Sequence, residues 1–385
     1  MIALSDFKIS SDCQVRILDI LRFGRLSYGP VTREFESRWA ALHNSKHAIF
    51  TNSGTSALVL AIAALKARHG WAEGAEVIVP AITFVATANA VIHNKLTPVV
   101  VDCEADTFGM DPKALRDAIN ERTVAVIPVH IMGRPCRIVE LCSVAMDYGL
   151  IVIEDSCEAV GSTANGGKVG SFGTVGCFST YAAHPISTGV GGLCVTNDDA
   201  LAIDIRSLMN HGRDPAYLSL DDSSPDPVRQ WEIVTSRFKF NSIGHSFRAT
   251  ELEAAIGLDQ LERWENISDL RMAIGGTLDL KLAKMFTVPG VIPMNYPITC
   301  KTHQDKLQAI RTMERADIQT RDLPTLLGQP CYSQGHLIEF RDTPVAKDIT
   351  ERTFYIGCHP GMTPDECERI GNVFFEAANG ATQKG

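Results

Sequence analysis

Three residues between positions 155 and 184 have side chains suited to one kind of chemistry. Asp155 ends an apolar run, Ser179 ends the next, and His184 follows in a glycine-rich turn. A carboxylate can keep a ring nitrogen protonated, a hydroxyl can bind a phosphate, and an imidazole can accept a proton near neutral pH. The alternatives are a helix cap or surface acid at Asp155 and a packed histidine at His184. The pattern therefore predicts a site for a phosphorylated, nitrogen-containing ring, with His184 near the reacting atom.

A second phosphate-binding pattern lies earlier in the chain. Ser53, Gly54 and Thr55 stand between an apolar strand-like run and a strongly apolar helix, which we predict from Ala57 to Ala67. Backbone N–H groups in such a turn and at a helix N-terminus attract phosphate. Many strand–helix turns contain Ser-Gly-Thr, so this motif is weak alone and gains weight from the rest of the chain.

The order of the apolar runs predicts an α/β fold. Continuous apolar strands that alternate with helices indicate a mostly parallel sheet covered on both faces. The predicted strands are 77–80, 98–102, 124–129 and 151–153, and the helices between them are 85–93, 111–119 and 135–148. A helix predicted from Glu251 to about Gly275 would link this large lobe to a smaller α+β lobe. We therefore expect domains at residues 1–270 and 271–385.

Composition and charge argue against several classes of protein. The 385 residues suffice for two lobes, and the net charge of −9 argues against general binding to nucleic acid or to anionic membranes. No apolar run approaches the roughly 20 residues that span a membrane, and the first residues lack the pattern of a secretory signal. The eleven cysteines contain no CxxC pair. We therefore expect no metal site, reduced thiols and a cytoplasmic protein.

Residues 53–58, 77–90 and 154–192 resemble the corresponding stretches of the DegT/DnrJ/EryC1/StrS sugar aminotransferases. The resemblance covers nearly the whole chain. It implies the type I fold of enzymes that depend on pyridoxal 5′-phosphate (PLP), with a large, mostly parallel sheet lobe and a smaller C-terminal α+β lobe. It also implies a homodimer, in which each subunit completes the site of its neighbour.

The resemblance assigns roles to individual residues. Phe84 would stack on the pyridine ring of the cofactor, with a buried core phenylalanine as the alternative. Glu158 stands where family members usually have a glutamine near the ring hydroxyl. Ser246 stands where they have an asparagine that contacts the phosphate in the neighbouring subunit. The predicted cofactor-binding residues are Ser53, Gly54, Thr55, Phe84, Asp155, Glu158, Ser179 and Ser246.

His184 occupies the position at which most family members have the lysine that binds the cofactor covalently. Histidine stands there in the GDP-4-keto-6-deoxymannose and CDP-4-keto-6-deoxyglucose 3-dehydratases, and the pairing of Asp155 with Glu158 resembles the GDP-sugar type. The resemblance thus implies non-covalent PLP or pyridoxamine 5′-phosphate (PMP), with His184 as the base that helps remove a hydroxyl from a 4-keto nucleotide sugar. It also implies an amino donor such as glutamate. The CDP-sugar type binds an iron–sulfur cluster through cysteines, but residues 195–299 contain none, so we expect no cluster.

Tyr28, His130 and His211 are candidate contacts to the substrate. Tyr28 lies in a segment that borders the active site in the resembled family, or else forms a plain surface turn. His130 ends a predicted strand and either faces the site or caps a turn. Other functions stay open: PLP-dependent elimination, decarboxylation or aminotransfer on a nucleoside-antibiotic or modified-nucleotide intermediate, or a family member without catalytic activity.

Overall fold

The computed structural model describes residues 1–218, 226–282, 290–333 and 337–382, without the side chains of 378–382. Two sheets organise the described part of the chain, with a two-stranded ribbon beside them. The strands are β1 His47–Thr51, β2 Glu76–Pro80, β3 Thr97–Val101, β4 Thr123–Val126, β5 Ile151–Asp155, β6 Thr163–Ala164, β7 Gly167–Lys168, β8 Val175–Ser179, β9 Gly192–Thr196, β10 Asn295–Thr299, β11 Thr320–Asp322, β12 Glu339–Phe340 and β13 Thr353–Gly357.

Helices cover the sheets and connect their strands. They are α1 Ser11–Phe23, α2 Pro30–Leu42, α3 Gly54–His69, α4 Val85–His93, α5 Pro112–Ala118, α6 Ile138–Asp147, α7 Asp199–Met209, α8 Pro227–Ser236, α9 Glu251–Glu262, α10 Trp264–Lys281, α11 His303–Arg315, α12 Pro344–Arg352 and α13 Pro364–Thr382. Within the described ranges, no helix combines the length and the apolar character needed to cross a membrane.

The large sheet has the strand order β1-β9-β8-β5-β4-β2-β3-β12 among the described residues. The ladders from β8 through β5, β4, β2 and β3 to β12 are parallel, and β9 pairs antiparallel with both β8 and β1. Val77 and Val79 belong to the core on one face, whereas Ile78 belongs to the core on the other face. Both faces of β2 are therefore buried, which explains why its sequence is continuously apolar.

A smaller lobe is built on the antiparallel sheet β10-β13-β11. Tyr296, Phe354 and Ile356 from this sheet pack with α10, α11 and α13 in a separate core. The predicted single helix from Glu251 to Gly275 is wrong, because the chain breaks at Arg263 between α9 and α10. The Arg263 side chain there donates to the carbonyl of Lys8 at 2.7 Å, a long-range contact that no local pattern contains.

The chain passes between the two lobes more than once. After β11, Leu323, Leu326 and Ile349 return to the core of the large lobe, and β12 joins the edge of its sheet. At the other end of the chain, Ile2 packs into the core of the small lobe. The division at residue 270 stays a prediction, since it falls inside α10 and segments on both sides of it contribute to both cores.

The parallel strands β2, β5 and β8 bring their carboxyl ends to one edge of the large sheet. Loops at this edge are where open α/β sheets bind ligands. Asp155 is the last residue of β5 and Ser179 the last residue of β8. Phe84 follows β2 by four residues and caps α4. The fold therefore gathers the main predicted site residues at one edge.

Candidate active site

Asp155 is buried, and both of its carboxylate oxygens accept hydrogen bonds. The Thr87 hydroxyl donates to Oδ2 at 2.7 Å, and the backbone N–H of Cys157 donates to Oδ1 at 3.2 Å. The alternative of a surface acid is therefore wrong. A carboxylate has about four lone-pair positions, so Asp155 keeps capacity for one more donor, such as a protonated ring nitrogen.

Phe84 lies at the N-terminus of α4 with 59% of its surface exposed. The alternative of a core phenylalanine is therefore wrong, because more than half of the side chain is exposed. The next turns of α4 carry the buried Thr87, whose hydroxyl is 2.7 Å from that of Thr83. Through Thr87, the helix that presents Phe84 is tied directly to Asp155.

The predicted phosphate cradle is packed so tightly that only glycine fits at position 54. A Cβ on Gly54 would lie 2.8 Å from Cβ of Ser179 and 2.9 Å from Sγ of Cys157. Ser53 caps α3, and its hydroxyl accepts the N–H of Ser56 at 3.0 Å. The first N–H groups of a helix have no acceptor inside the helix, so the turn at Gly54 and Thr55 presents donors beside the Ser179 hydroxyl. Thr55 itself is exposed.

Glu158 lies in the turn that follows Asp155. Its Oε2 accepts the backbone N–H of Met132 at 2.8 Å. Burial raises the pKa of Glu158 to about 7, the Met132 N–H opposes this rise, and the charge of Asp155 adds to it. Glu158 can therefore change its protonation state near neutral pH, whereas a glutamine at this position could not.

His184 lies in the loop between β8 and β9, five residues beyond Ser179. Its Nδ1 is 3.3 Å from the carbonyl oxygen of Tyr181, which can only accept, so Nδ1 carries the hydrogen and Nε2 keeps a free lone pair. Burial lowers the pKa of His184 to about 4, and the charge of Arg271 contributes in the same direction. Near pH 7 the imidazole is neutral and can accept a proton at Nε2.

His130 lies away from Asp155, on the other side of β5. The ring is fully buried, its Nε2 is 3.0 Å from Oε2 of Glu154, and its Nδ1 accepts the N–H of Cys136 at 3.2 Å. Glu154 and Asp155 point to opposite faces because successive strand residues alternate. Both ring nitrogens of His130 are therefore used inside the protein, and the structure gives the predicted substrate contact no support.

Tyr28 is also buried within the protein. Its hydroxyl donates to Glu36 at 3.0 Å and accepts from Arg206 at 3.2 Å, and the same arginine pairs with Glu36 at 2.8 Å. Burial and the charge of Glu36 raise the pKa of Tyr28 above its ordinary value. The alternative of a plain surface turn is wrong for Tyr28, but its polar atom is occupied by this network and not turned to a ligand.

Ser246 lies on a segment beside the phosphate cradle that pairs with the segment carrying His211. The guanidinium of Arg248 donates to Oγ of Ser246 at 3.0 Å and lies 3.4 Å from Nε2 of His211. The neighbouring Phe247 carbonyl accepts the N–H of Asn52 at 2.8 Å. The segment is thus anchored next to the Ser53 turn of its own chain, with Ser246 and His211 exposed.

The side chains at this edge fit a pyridine ring that carries a phosphate. Asp155 can pair with the ring nitrogen, the exposed Phe84 can cover the ring, and the turn at Gly54 with Ser179 can hold the phosphate. Sequence reasoning missed Thr87 and the tight approach of Gly54 to Cys157. The role of Thr87 could have been noticed from its spacing, because it follows Thr83 by four residues, which is about one helical turn, next to Phe84. No local pattern indicated the approach of Gly54 to Cys157, because these residues are about one hundred positions apart in the sequence.

Comparisons with known proteins identify the family and the fold. A family model described as the DegT/DnrJ/EryC1/StrS aminotransferase family matches residues 8–375. GDP-perosamine synthase of Caulobacter vibrioides is 39% identical over 259 residues, which cover 67% of this chain and 64% of the relative. The dTDP-4-dehydro-2,6-dideoxy-D-glucose 3-dehydratase of Saccharopolyspora spinosa is 30% identical over 381 residues, covering 92% of this chain and 82% of the relative.

Solved structures match the whole fold. The E. coli GDP-4-keto-6-deoxy-D-mannose-3-dehydratase with bound hydrated PLP superposes with a TM-score of 0.86 at 23% identity, covering 97% of this chain and 99% of that one. Both the predicted family and the predicted fold class, a large mostly parallel sheet lobe with a smaller lobe, are confirmed.

Proposed function

The chain belongs to the DegT/DnrJ/EryC1/StrS aminotransferase family of PLP-dependent, sugar-modifying enzymes, and we propose that it is a dehydratase. Its substrate would be a 4-keto nucleotide sugar that loses one hydroxyl group. The observation that carries this proposal is His184, a neutral imidazole with a free Nε2 in the loop where most relatives have a lysine.

We propose that the cofactor is bound without a covalent bond to the chain. Lys168, the nearest lysine upstream of His184, donates its ammonium to the carbonyl of Gly161 at 2.8 Å. Asp155 would pair with the ring nitrogen, Phe84 would cover the ring, and the Gly54 turn with Ser179 would hold the phosphate. When bound as PMP, the cofactor supplies an amine for the sugar ketone and a ring that accepts electrons.

The chain's own part in the reaction is proton transfer at His184 Nε2. The nitrogen would accept the proton from the cofactor carbon that carries the amine, and the same imidazolium could protonate the departing hydroxyl. A low pKa in the free protein favours the neutral form that must be present before the transfer. The tautomer fixed by the Tyr181 carbonyl directs the lone pair of Nε2 away from the backbone.

We also propose a homodimer and an amino donor such as glutamate. Exposed apolar side chains surround the segment that carries Ser246: Ile243 is 98% exposed and Phe238 is 87% exposed. Apolar groups that stand so far out of a protein favour a partner surface. The resembled family places the neighbouring subunit there, so Ser246 would reach the cofactor phosphate of the second chain.

Aminotransfer is the second candidate, and the 39% identity to a protein named GDP-perosamine synthase favours it. The two reactions leave different products on the same type of substrate. An aminotransferase places nitrogen on the sugar, whereas the dehydratase that we propose releases an unsaturated amine, which hydrolyses to a 3-deoxy-4-keto sugar.

Mass spectrometry of the products separates these functions. The purified protein would be incubated with PMP and a panel of 4-keto nucleotide sugars, each tested with and without glutamate. We expect at least one sugar to lose the mass of one oxygen atom, without gaining nitrogen, while PMP is converted to PLP and ammonia is released. An amino sugar as the main product would establish the transferase instead, and an unchanged panel would contradict both.

A further inference from the structure

The small-lobe sheet has a second face that is turned towards the large lobe. Phe354 and Ile356 of β13 are fully buried in the core of the small lobe. Successive strand residues point to opposite faces, so Tyr355 between them points the other way. There it packs against the core of the large lobe, which includes Met132.

Arg321 shares this face with Tyr355. The register of the antiparallel pair β11–β13 places Arg321 opposite Tyr355 and Thr320 opposite Ile356. Residues directly opposite in an antiparallel pair lie on the same face. Thr320 and Ile356 are both buried towards the small-lobe core, so Arg321, which is exposed, lies beside Tyr355 on the face towards the large lobe.

Contacts of neighbouring residues connect this face to the candidate active site. The N–H of Leu326 and the hydroxyl of Thr325 both donate to the carbonyl of Ala81, three residues before Phe84, at 2.9 and 3.0 Å. Met132, in the core against which Tyr355 packs, donates its N–H to Glu158. Burial and, to a smaller extent, the charge of Glu158 raise the pKa of Tyr355 to about 12, and the charge of Arg321 opposes this rise. Tyr355 is thus near enough to both Glu158 and Arg321 for their charges to influence it.

The Arg321 guanidinium and the Tyr355 hydroxyl both keep donor capacity for a ligand. Nη1 of Arg321 donates to the carbonyl of Thr320 at 2.7 Å, and in the described part of the chain no carboxylate lies at ion-pair distance from it. Glu314 is influenced by the Arg321 charge, but its Oε1 accepts the N–H and hydroxyl of Thr320, both at 2.7 Å. Among the described residues the Tyr355 hydroxyl has no hydrogen-bond partner either.

We propose that Arg321 and Tyr355 bind an oxyanion of the substrate, namely the carboxylate of the amino donor. The planar guanidinium matches a carboxylate in a two-bond geometry, and the phenol adds a third donor. One cation and one phenol balance the single charge of an α-carboxylate better than the larger charge of a nucleotide diphosphate. This assignment rests on the proposed function, which needs an amino donor to return the cofactor to PMP.

The step that this site serves is balanced without an added oxidant or reductant. The donor carbon would give up its amino group and its hydrogen to the aldehyde carbon of PLP, and the aldehyde oxygen would be exchanged, by way of water, for the new carbonyl oxygen of the donor. The donor becomes a 2-oxo acid, and the cofactor becomes PMP. Arg321 and Tyr355 would hold the donor by its carboxylate and would take no part in bond breaking. Their substitution should therefore weaken donor binding more than it slows the chemical step.

The test measures the donor half-reaction of the PLP-loaded enzyme with L-glutamate, by the loss of visible absorbance. Loss of a charge-assisted hydrogen bond is worth about 1.5–3 kcal/mol, so Arg321→Gln should raise KM for glutamate by about 10- to 100-fold with a smaller change in kcat. Arg321→Lys should recover part of the loss. Tyr355→Phe removes a neutral donor and should raise KM by roughly 2- to 10-fold.

Arg311→Gln is the matched control. Arg311 is an exposed arginine on α11, the helix that packs on the opposite side of the same small sheet, and its loss should leave KM unchanged. Glutarate, a dicarboxylate without an amine, gives a readout without turnover. Its affinity for the PLP-loaded enzyme, measured by calorimetry, should fall in Arg321→Gln and stay constant in Arg311→Gln. Thermal melting of each variant identifies any that fails to fold.

The outcomes distinguish this inference from the proposed function. The donor-site inference would be overturned if a folded Arg321→Gln variant kept the wild-type KM for glutamate and the wild-type affinity for glutarate. It would also be overturned if no amino acid converted the wild-type enzyme to its PMP form. If the variant instead raises KM for the nucleotide sugar with added PMP, the anion is the diphosphate and the assignment is wrong. If wild-type enzyme accepts glutamate normally but dehydrates no sugar, the proposed function fails and the donor site stands.

Discussion

The Thr87 hydroxyl donates a 2.7 Å hydrogen bond to Oδ2 of Asp155. This bond joins the first turns of α4, which also present the exposed Phe84, to the carboxyl end of β5. The hydroxyl thereby holds the carboxylate of Asp155 in a fixed orientation. The ring-nitrogen partner and the aromatic cover that we propose are thereby positioned as one unit.

Substitution of either residue tests this unit. Asp155→Asn should abolish most turnover while leaving folding intact, because it removes the charge that keeps the ring nitrogen protonated. Thr87→Val removes only the supporting donor, so it should cost about 10- to 100-fold, the worth of one hydrogen bond to a charged group. Steady-state rates and far-ultraviolet circular dichroism check both. Unchanged turnover in Asp155→Asn would show that this carboxylate is not the ring partner.

A single methyl group added at Gly54 tests the phosphate cradle. In Gly54→Ala the new Cβ would meet Cβ of Ser179 at 2.8 Å and Sγ of Cys157 at 2.9 Å, so the turn must open. We expect weaker binding of PLP to the apoenzyme, by about 10-fold or more on overpacking costs of about 1–3 kcal/mol. Fluorescence titration with PLP measures it.

Gly276→Ala is the control for that substitution. Gly276 lies in α10 with nothing within 4 Å of an added Cβ, so the change should slightly stabilise the helix and leave PLP affinity alone. Equal PLP affinity in Gly54→Ala and Gly276→Ala would contradict the assignment of the cradle.

The elements that could be predicted from sequence are those whose signal is local. The predicted helix 85–93 has the observed bounds of α4, and the strand predicted at 77–80 differs from β2 by one residue. Buried parallel strands carry continuous apolar runs, and helices between them interrupt those runs with a different period. Asp155 and Ser179 were also found locally, because each ends such a run.

Contacts between residues that are distant in the sequence could not be predicted. Tyr28 is engaged by Arg206, which lies 178 positions away, and His130 by Glu154, which lies 24 positions away. Each has the residue type of a ligand contact, and only its folded partners reveal a structural role. The break between α9 and α10 likewise lies at Arg263, whose side chain contacts the distant carbonyl of Lys8.

A mixing experiment tests the proposed dimer. Asp155→Asn disables the site in its own chain, whereas Ser246→Asp would place a negative charge near the phosphate in the neighbouring site. A mixed dimer then keeps one intact site, so two inactive proteins expressed together should recover about a quarter of wild-type turnover per chain. Sedimentation velocity checks that dimers form. The absence of recovery in proven mixed dimers would show that Ser246 serves its own chain.

The pKa of Glu158 predicts a pH dependence of stability. Burial raises it to about 7 in the folded protein from an ordinary value near 4.5. Between these values the folded state holds more protons than the unfolded state, so the contribution of Glu158 to stability is greatest below pH 4.5 and falls as the pH rises to 7. This loss is at most about 3.4 kcal/mol. In Glu158→Gln this component should vanish, and chemical denaturation at several pH values would measure the difference. A wild-type profile identical to that of the variant would contradict the raised pKa.

Two substitutions at His184 test the centre of the proposed function. The first, His184→Lys, restores the residue by which most relatives bind the cofactor covalently. If the surrounding site is intact, the variant should bind PLP covalently, which borohydride reduction followed by mass spectrometry would reveal as added mass on the peptide that contains residue 184. The wild-type peptide should gain none. Dehydration should be lost in the variant, because a lysine returns the proton to the cofactor carbon and recaptures the cofactor, which favours aminotransfer.

The second substitution, His184→Asn, removes the base and keeps the cofactor free. Asparagine cannot accept a proton at the position of Nε2, so we expect PLP binding close to that of the wild type and turnover lower by about 10²- to 10⁴-fold. Because the pKa of His184 is lowered to about 4, the wild-type imidazole stays neutral over the range from pH 5 to 8, and its activity should show no acid limb from this residue there. Wild-type turnover in His184→Asn on the true substrate would exclude His184 as the base and remove the main support for dehydration.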